Sequence, residues 1–280
     1  MCALFFSIAF VRAQSKNDKQ QSQTPPALKR TTTKHESREF SYGSSLMILG
    51  APSGSITVEA WSKGEVDVTA EIELQADTED DLTKLASIIG FVLDEDLNSI
   101  HVVTTGPHDK QYMKRYAKGF PKKLMNLPWR IDYRIKVPAQ CDVEVNAGKG
   151  PITLNSVEGS IVLNSSESDV TMTLTGGYVR TTIGSGKINI NVTSRGWRGA
   201  GAMVQLGTGD INVSLPAAFN AYVNADVLRV GKIENTHPTL KPQKLTKATD
   251  KSIQGVAGTG GATLKFTVGD GTLRINELKQ

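Results

Sequence analysis

Apolar and polar residues alternate in a nine-residue pattern that repeats through the middle of the chain. Five consecutive units begin at Gly150, Gly159, Ser168, Gly177 and Gly186. Their third positions are all β-branched apolar residues, namely Ile152, Ile161, Val170, Val179 and Ile188. A period of two is typical of a strand that buries one face, and β-branched residues fit such a strand well. Each unit is therefore predicted to be a short strand that ends in a turn at Gly or Ser.

A fixed repeat of this kind predicts a stacked array, because one short strand cannot bury its apolar face alone whereas stacked strands share a core. The same Gly-x-apolar-x-apolar pattern recurs at Gly54, Gly64, Gly209 and Gly271. We therefore predict an all-β fold, a β-helix or solenoid-like array. Its regular repeat region is predicted over 141–277 and its less regular N-terminal part over 39–140, with 39–277 forming one continuous domain.

One segment within the N-terminal part has a helical pattern instead. Asp77 or Thr78 can cap a helix, acidic residues follow in the first turn, and Gly90 is a suitable stop. The apolar residues that share one helical face are Leu82, Leu85, Ile88 and Ile89. We predict a helix near 78–90 that packs across an open end or edge of the array and covers its unpaired backbone.

The outward positions of the repeat are polar and give a candidate binding face. The sixth residues of the five units are Asn155, Asn164, Thr173, Thr182 and Asn191. A flat face of this composition could bind a glycan or another surface polymer. The alternative is a solvated sheet face on which Thr and Asn side chains satisfy one another across strands.

A basic and aromatic insertion over 106–128 gives a second candidate contact surface. Its relevant side chains are Tyr112, Lys114, Arg115, Tyr116, Lys118 and Phe120. The aromatic residues lie four apart, so on a helix they would share a face with basic groups beside it. One interpretation is contact with a membrane surface or an anionic polymer. The other is a surface excursion whose aromatic residues dock back onto the sheet.

The N-terminal region predicts export. Residues 2–13 form a short apolar run that ends in Ala13, which is typical of a secretory signal peptide over 1–13 that lacks its charged start. Residues 14–38 are rich in Lys, Gln, Ser, Thr and Pro and are predicted to be a disordered linker. The protein is therefore expected to be extracytoplasmic, whether periplasmic, secreted or on the cell surface. Cys141 lies in a strand-like stretch and is expected to be a small core residue.

The net charge and the motifs of the chain argue against several classes of function. The 280-residue chain has a net charge of +4, which is too small to indicate nucleic-acid binding. The stretch at Gly184–Lys187 resembles a phosphate loop only in part, since Ile188 stands where Ser or Thr should hold magnesium. Successive units carry Thr153, Val162, Thr171, Arg180 and Asn189 at the position where a calcium-binding nonapeptide repeat needs Asp. We therefore expect no cofactor, no metal and no enzymatic activity.

The run WRIDYRIKVPAQCDVEVNAGKGPITLNSVEGSIVLNSS resembles the bacterial putative-adhesin β-strand-repeat family of unknown function. The matching residues are Tyr133, Ile135, Val137, Pro138, Gly150, Ile152, Gly159 and Ile161. Later stretches extend the resemblance to roughly residues 40–276. It implies a β-helix-like, extracytoplasmic protein with no established activity.

Together these features predict a non-catalytic surface or binding module whose partner is a glycan or an envelope protein. A structural or assembly role in the cell envelope is the alternative. A polysaccharide-processing enzyme would need carboxylates that converge on one face, and the repeat units offer only Glu158, Glu167 and Asp169 near their corners.

Overall fold

The computed structural model describes residues 28–41, 43, 45–96, 98–243 and 248–279. These residues are mostly in strands, so the all-β prediction is confirmed. The first half of the chain forms β1 (Leu28–Glu39), β2 (Ser45–Ser53), β3 (Ile56–Trp61), β4 (Glu65–Ala76), α1 (Glu79–Ala86), β5 (Gly90–Glu95), β6 (Ser99–Thr105), α2 (Lys110–Tyr116), a 3-10 turn (Lys122–Leu124), β7 (Trp129–Pro138), β8 (Asp142–Lys149) and β9 (Ile152–Asn155). The second half forms β10 (Ser160–Glu167), β11 (Val170–Leu174), β12 (Gly176–Val192), β13 (Arg198–Leu215), β14 (Ala221–Val227), β15 (Gly231–Asn235), β16 (Lys241–Pro242), β17 (Ser252–Ala257) and β18 (Thr263–Glu277).

The nine-residue units pair in parallel at an offset of 18 residues rather than nine. Ile161 of β10 lies opposite Val143 of β8 on one side and Val179 of β12 on the other. Ile152 of β9 lies opposite Val170 of β11. Successive units therefore alternate between two rows of strands, and each row gains one strand for every two units.

We call these two rows A and B. Row A contains β5, β6, β2, β8, β10, the first halves of β12, β13 and β18, then β14, β17 and β16. Row B contains β1, β4, β7, β3, β9, β11, the second halves of β12, β13 and β18, then β15. The three long strands run from one row into the other, so all strands belong to a single 18-stranded sheet.

The core lies between the two rows. The apolar residues at the third and fifth positions of each unit, such as Ile161 and Met172, are fully buried there. Burial of one such side chain contributes about 1.5–3 kcal/mol. Thr181 of row A also points inward, and its hydroxyl lies 3.9 Å from the sulfur of Met172 in row B. This contact joins the inner faces of the two rows directly.

The predicted helix is present but shorter than expected. It begins after Thr78, whose side-chain oxygen accepts a hydrogen bond from the backbone N–H of Asp81 at 3.1 Å. It ends at Ala86 rather than at Gly90, which already belongs to β5. Its inward residues Leu82 and Leu85 are fully buried, and α1 packs against β4 and β1 at one edge of row B.

The prediction of a disordered linker over 14–38 is wrong from residue 28 onward. The strand β1 pairs with β4 in antiparallel register along its whole length, from Leu28 opposite Ala76 to Glu39 opposite Glu65. Its polar composition reflects an edge position, since charged side chains on an edge strand disfavour pairing with other chains. The rest of the predicted linker, 14–27, and the predicted signal peptide, 1–13, lie outside the described residues.

Candidate functional site

The five polar positions that the repeat predicted as one face are divided between the two rows. Asn164 and Thr182 lie opposite each other on the outer side of row A. Asn155, Thr173 and Asn191 lie on three consecutive strands of row B. This division follows from the 18-residue offset, because neighbouring units in sequence point their polar residues to opposite sides of the molecule.

The row B residues belong to a larger uncharged surface, which we call the Thr/Asn plate. It spans β9, β11, β12 and β13 in two aligned rungs. The rungs are Thr153, Thr171, Asn189 and Asn212, then Asn155, Thr173, Asn191 and Ser214. All eight side chains are half-buried. With neighbouring strands about 4.8 Å apart, the plate extends about 14 Å across the strands.

Most polar groups of the plate are available to a ligand. The amide nitrogen of Asn212 donates a hydrogen bond to Oδ1 of Asn189 at 3.0 Å. For the other six side chains of the plate, no side-chain hydrogen bond is present within the described part of the chain. Hydroxyl and amide groups each donate and accept hydrogen bonds. The plate therefore presents a regular, flat set of both kinds of group to solvent.

A polar groove adjoins the plate on the same row, across β3, β7 and β4. It encloses ≈ 880 Å³ and merges with a second depression of ≈ 410 Å³ through Thr57, Thr69 and Arg134. Arg134 is exposed and forms no ion pair with a described carboxylate. Glu71 and Asp132 lie directly opposite each other in the antiparallel register of β4 and β7. Sequence reasoning missed this groove, because no local pattern indicates that those two strands pair.

The other end of the plate is closed by an ion network on β13, β15 and β18. The guanidinium of Arg274 lies 2.9 Å from a carboxylate oxygen of Asp210 and 2.9 Å from one of Glu234. Burial raises the pKa of Asp210, but the hydrogen bonds from Arg274 and from the backbone N–H of Thr272 outweigh it and lower the pKa overall. The uncharged plate thus lies between the polar groove on one side and this ion network on the other.

On row A, one of the two predicted polar positions fits the alternative interpretation, in which polar side chains satisfy one another across strands. The amide nitrogen of Asn164 donates to Oδ1 of Asn146 at 3.0 Å, and the amide of Asn146 donates to Glu144 at 2.8 Å. Asn164 is therefore satisfied within a ladder across strands, whereas Thr182 is exposed.

The basic and aromatic insertion largely docks back onto the sheet. Met113 of α2 and Leu124 of the 3-10 turn are buried in the core. Tyr112 and Phe120 are half-buried and pack against it. Tyr116 is the exception, being 68% exposed. The basic residues Lys114, Arg115 and Lys118 are exposed as well, and the guanidinium carbon of Arg115 lies 5.7 Å from the centre of the Tyr116 ring.

Cys141 is buried, as predicted, and burial together with the charge of Asp142 raises its thiol pKa to about 12. Across the described ranges, no three or more His, Cys, Asp or Glu residues cluster in a way that could hold a metal ion. No helix in that same part of the chain is long and apolar enough to cross a membrane.

No protein-family model matches the chain, and no curated protein matches it. Among solved structures, it is similar to a putative cell adhesion protein from Clostridium sporogenes, with a TM-score of 0.42 and 12% identity over 88% of this chain and 100% of that one. A putative adhesin from Bacteroides fragilis has a TM-score of 0.38 and 11% identity over 87% of this chain and 97% of that one. A third, a putative adhesin from Parabacteroides merdae, has a TM-score of 0.24 and 9% identity over 88% of this chain and 96% of that one. The solved structures to which the chain is similar thus carry the adhesin name that the sequence resemblance predicted.

Proposed function

We propose that this chain is a non-catalytic, adhesin-like binding module that holds a neutral polysaccharide on the Thr/Asn plate of row B. The observation that carries the proposal is the alignment of eight uncharged polar side chains on four adjacent parallel strands. A sugar chain presents hydroxyl groups that donate and accept hydrogen bonds, as the plate does. A flat surface supports many shallow contacts, and affinity then arises from their number.

The geometry favours a polymer that runs across the strands. A chain in that direction would meet Thr153, Thr171, Asn189 and Asn212 at equal intervals of about 4.8 Å. The polar groove beyond β9 extends the same surface, so that a longer polymer continues toward Arg134.

The carboxylates of the groove support a binding role rather than hydrolysis. Glycoside hydrolysis requires two carboxylates free to act on opposite sides of the scissile bond. Asp132 is instead engaged at both oxygens. One accepts hydrogen bonds from the backbone N–H and the hydroxyl of Ser55 at 2.8 Å each, and the other lies 3.0 Å from the guanidinium of Arg130. These contacts give Asp132 a structural role beside Glu71.

The scaffold we propose is a β-solenoid in which one coil contains two nine-residue units, one in each row. The 18-residue parallel offset supports this interpretation. An extracytoplasmic location is part of the same proposal and rests on the apolar run over 2–13. A polysaccharide ligand is most accessible to a protein in that location.

Two of the four row ends, β1 of row B and β16 of row A, are poorly suited to pairing with other chains, which disfavours assembly through them. The edge strand β1 carries charged residues along its length, with Lys29 paired to Glu73 at 2.7 Å and Arg30 paired to Glu79 at 2.6 Å. At the far end of row A, β16 is two residues long and ends in Pro242. Charges, short length and proline are all features that protect sheet edges from pairing.

Retention on insoluble cellulose, chitin and mannan tests the proposal. We expect the wild-type protein to be retained on at least one of them, with little dependence on salt because the plate is uncharged. Thr171→Lys places a long charged side chain in the middle of the plate and should weaken retention at least about tenfold. Thr182→Lys makes the same change on row A and is the matched control.

Three results would count against the proposal. One is failure of the wild-type protein to bind any of the three polymers. Another is equal loss of binding in both lysine variants. The third is co-purification of envelope proteins in place of any polymer, which would favour the assembly role.

A further inference from the structure

A second outward surface, on row A, combines aromatic and cationic side chains that are far apart in sequence. One rung, read across β12, β13, β18 and β14, consists of Tyr178, Gly201, Thr263 and Tyr222. The next rung consists of Arg180, Met203, Lys265 and Asn224. We call Tyr178, Arg180, Met203, Lys265 and Tyr222 the row A patch.

The two tyrosines lie at the two ends of the first rung, with two small residues between them. Tyr178 is 39% exposed and Tyr222 is 40% exposed, which is unusual for large side chains on this sheet. Between them lie Gly201, which has no side chain, and Thr263, which has a small one. Three strand spacings separate the tyrosines, or about 14 Å. Exposed aromatic residues that flank a flat floor are a common feature of binding surfaces.

The two cations of the patch are not neutralised within the protein. Arg180 and Lys265 are exposed, flank Met203 on adjacent strands, and have no ion pair with any carboxylate that the structure describes. Three other arginines of the same half differ, since Arg198, Arg229 and Arg274 are each paired with an acidic side chain. Two strand spacings place the backbone positions of Arg180 and Lys265 about 10 Å apart.

We propose that the row A patch binds a linear acidic glycan that carries a carboxylate or sulfate on alternate sugars. Arg180 and Lys265 would pair with two successive acidic groups, since guanidinium and ammonium groups bind such anions directly. The faces of Tyr178 and Tyr222 would support the sugar rings between and beyond them. This site goes beyond the proposed function, because it lies on row A rather than row B and binds an acidic rather than a neutral glycan.

The same observations disfavour other macromolecules. Nucleic acid binding relies on neutralisation of many phosphates, and the patch offers two cations on a chain whose net charge is +4. A protein partner needs a larger interface with a more apolar centre, whereas Met203 is the one large aliphatic side chain of the patch.

Titration calorimetry with hyaluronan fragments, which carry a uronate on alternate sugars, tests the site, with dextran as the neutral comparison. We expect binding of hyaluronan that weakens with salt, and no binding of dextran. Arg180→Ala and Lys265→Ala should each weaken affinity about fivefold, and the double variant about 25-fold. Arg180→Lys keeps the charge and should recover part of the affinity.

Two controls separate this site from other surfaces. Lys114→Ala removes an equal charge from the insertion and should leave hyaluronan binding unchanged. Thr171→Lys alters the Thr/Asn plate of row B and should also leave hyaluronan binding unchanged. Either proposal can therefore fail without the other. The inference is overturned if the double variant binds like the wild type, if Lys114→Ala loses as much affinity, or if a DNA oligonucleotide binds as tightly as hyaluronan.

Discussion

The corner at which β13 passes from row A to row B gives a sharp test of how the long strands β12, β13 and β18 pack against one another. Gly209 has φ of +131°, in a region that L-residues with a side chain rarely adopt. A Cβ atom at this position would lie 1.8 Å from the carbonyl oxygen of Gly186 on the neighbouring strand β12. The corner within β18 repeats this arrangement, because a Cβ atom on Gly271 would lie 1.7 Å from the carbonyl oxygen of Gly209. A methyl group therefore cannot be added to Gly209 unless the backbone at Gly209 or Gly186 moves.

The cost of Gly209→Ala has two parts. A side chain at this φ costs about 1–3 kcal/mol in backbone strain. Relief of the overlap with the Gly186 carbonyl costs about 1–3 kcal/mol more, as in other overpacked sites. We expect the free energy of unfolding to fall by about 2–6 kcal/mol. Gly64→Ala is the control, since a Cβ atom there has no neighbour within 4 Å and φ lies outside the positive region.

Equilibrium urea unfolding, followed by far-ultraviolet circular dichroism, measures both variants against the wild type. The Gly64→Ala protein should stay within about 1 kcal/mol of the wild type. If the free energy of unfolding depends on urea concentration with the same slope in all three proteins, each exposes the same surface area on unfolding. If Gly209→Ala proved as stable as Gly64→Ala, the proposed contact between coils at the glycine corners would be incorrect.

Two further predictions concern polar groups in the fold. The hydroxyls of Thr104 and Tyr133 lie 2.8 Å apart in the core, so Tyr133→Phe should lower the free energy of unfolding by about 1–3 kcal/mol. Adding Thr104→Val should restore part of it in urea unfolding, and an additive further loss would contradict a direct hydrogen bond. The pKa of Asp210 is lowered from 3.8 in the folded chain, so its stabilisation is present above that value and is lost as the pH falls toward the folded pKa. The stability difference between wild type and Arg274→Met should therefore shrink from about pH 5 to about pH 3, and a constant difference in urea unfolding would contradict the ion pair.

The repeating strands could be predicted from sequence, but the way they stack could not. The alternation at Ile152, Ile161 and Val170 indicates half-buried strands whatever their partners are. A nine-residue unit is compatible with pairing at nine residues or at 18, because both offsets place equivalent residues side by side. Only the three-dimensional path of the chain at the corners selects 18, and that choice divides the predicted polar face between the two rows.

The edge strand and the surface sites depend on contacts between distant residues. Residues 28–38 have the composition of a linker, and they become a strand because β4 offers a full-length partner and matching charges such as Glu73. Glu71 and Asp132 meet through another long-range antiparallel pairing. Tyr178 and Tyr222 share a rung only because two strands lie between them. No local pattern in the sequence carries that information.

Side-chain amide resonances of the plate give the most direct test of polysaccharide binding on row B. The reporters are the amide groups of Asn155, Asn189, Asn191 and Asn212, observed by NMR during titration with soluble oligosaccharides of whichever polymer retains the protein. We predict chemical-shift changes that are confined to these groups and to the neighbouring threonines, and that disappear in Thr171→Lys. Shifts located instead on the edge strands β1 and β15, with the plate unchanged at saturation, would contradict the account.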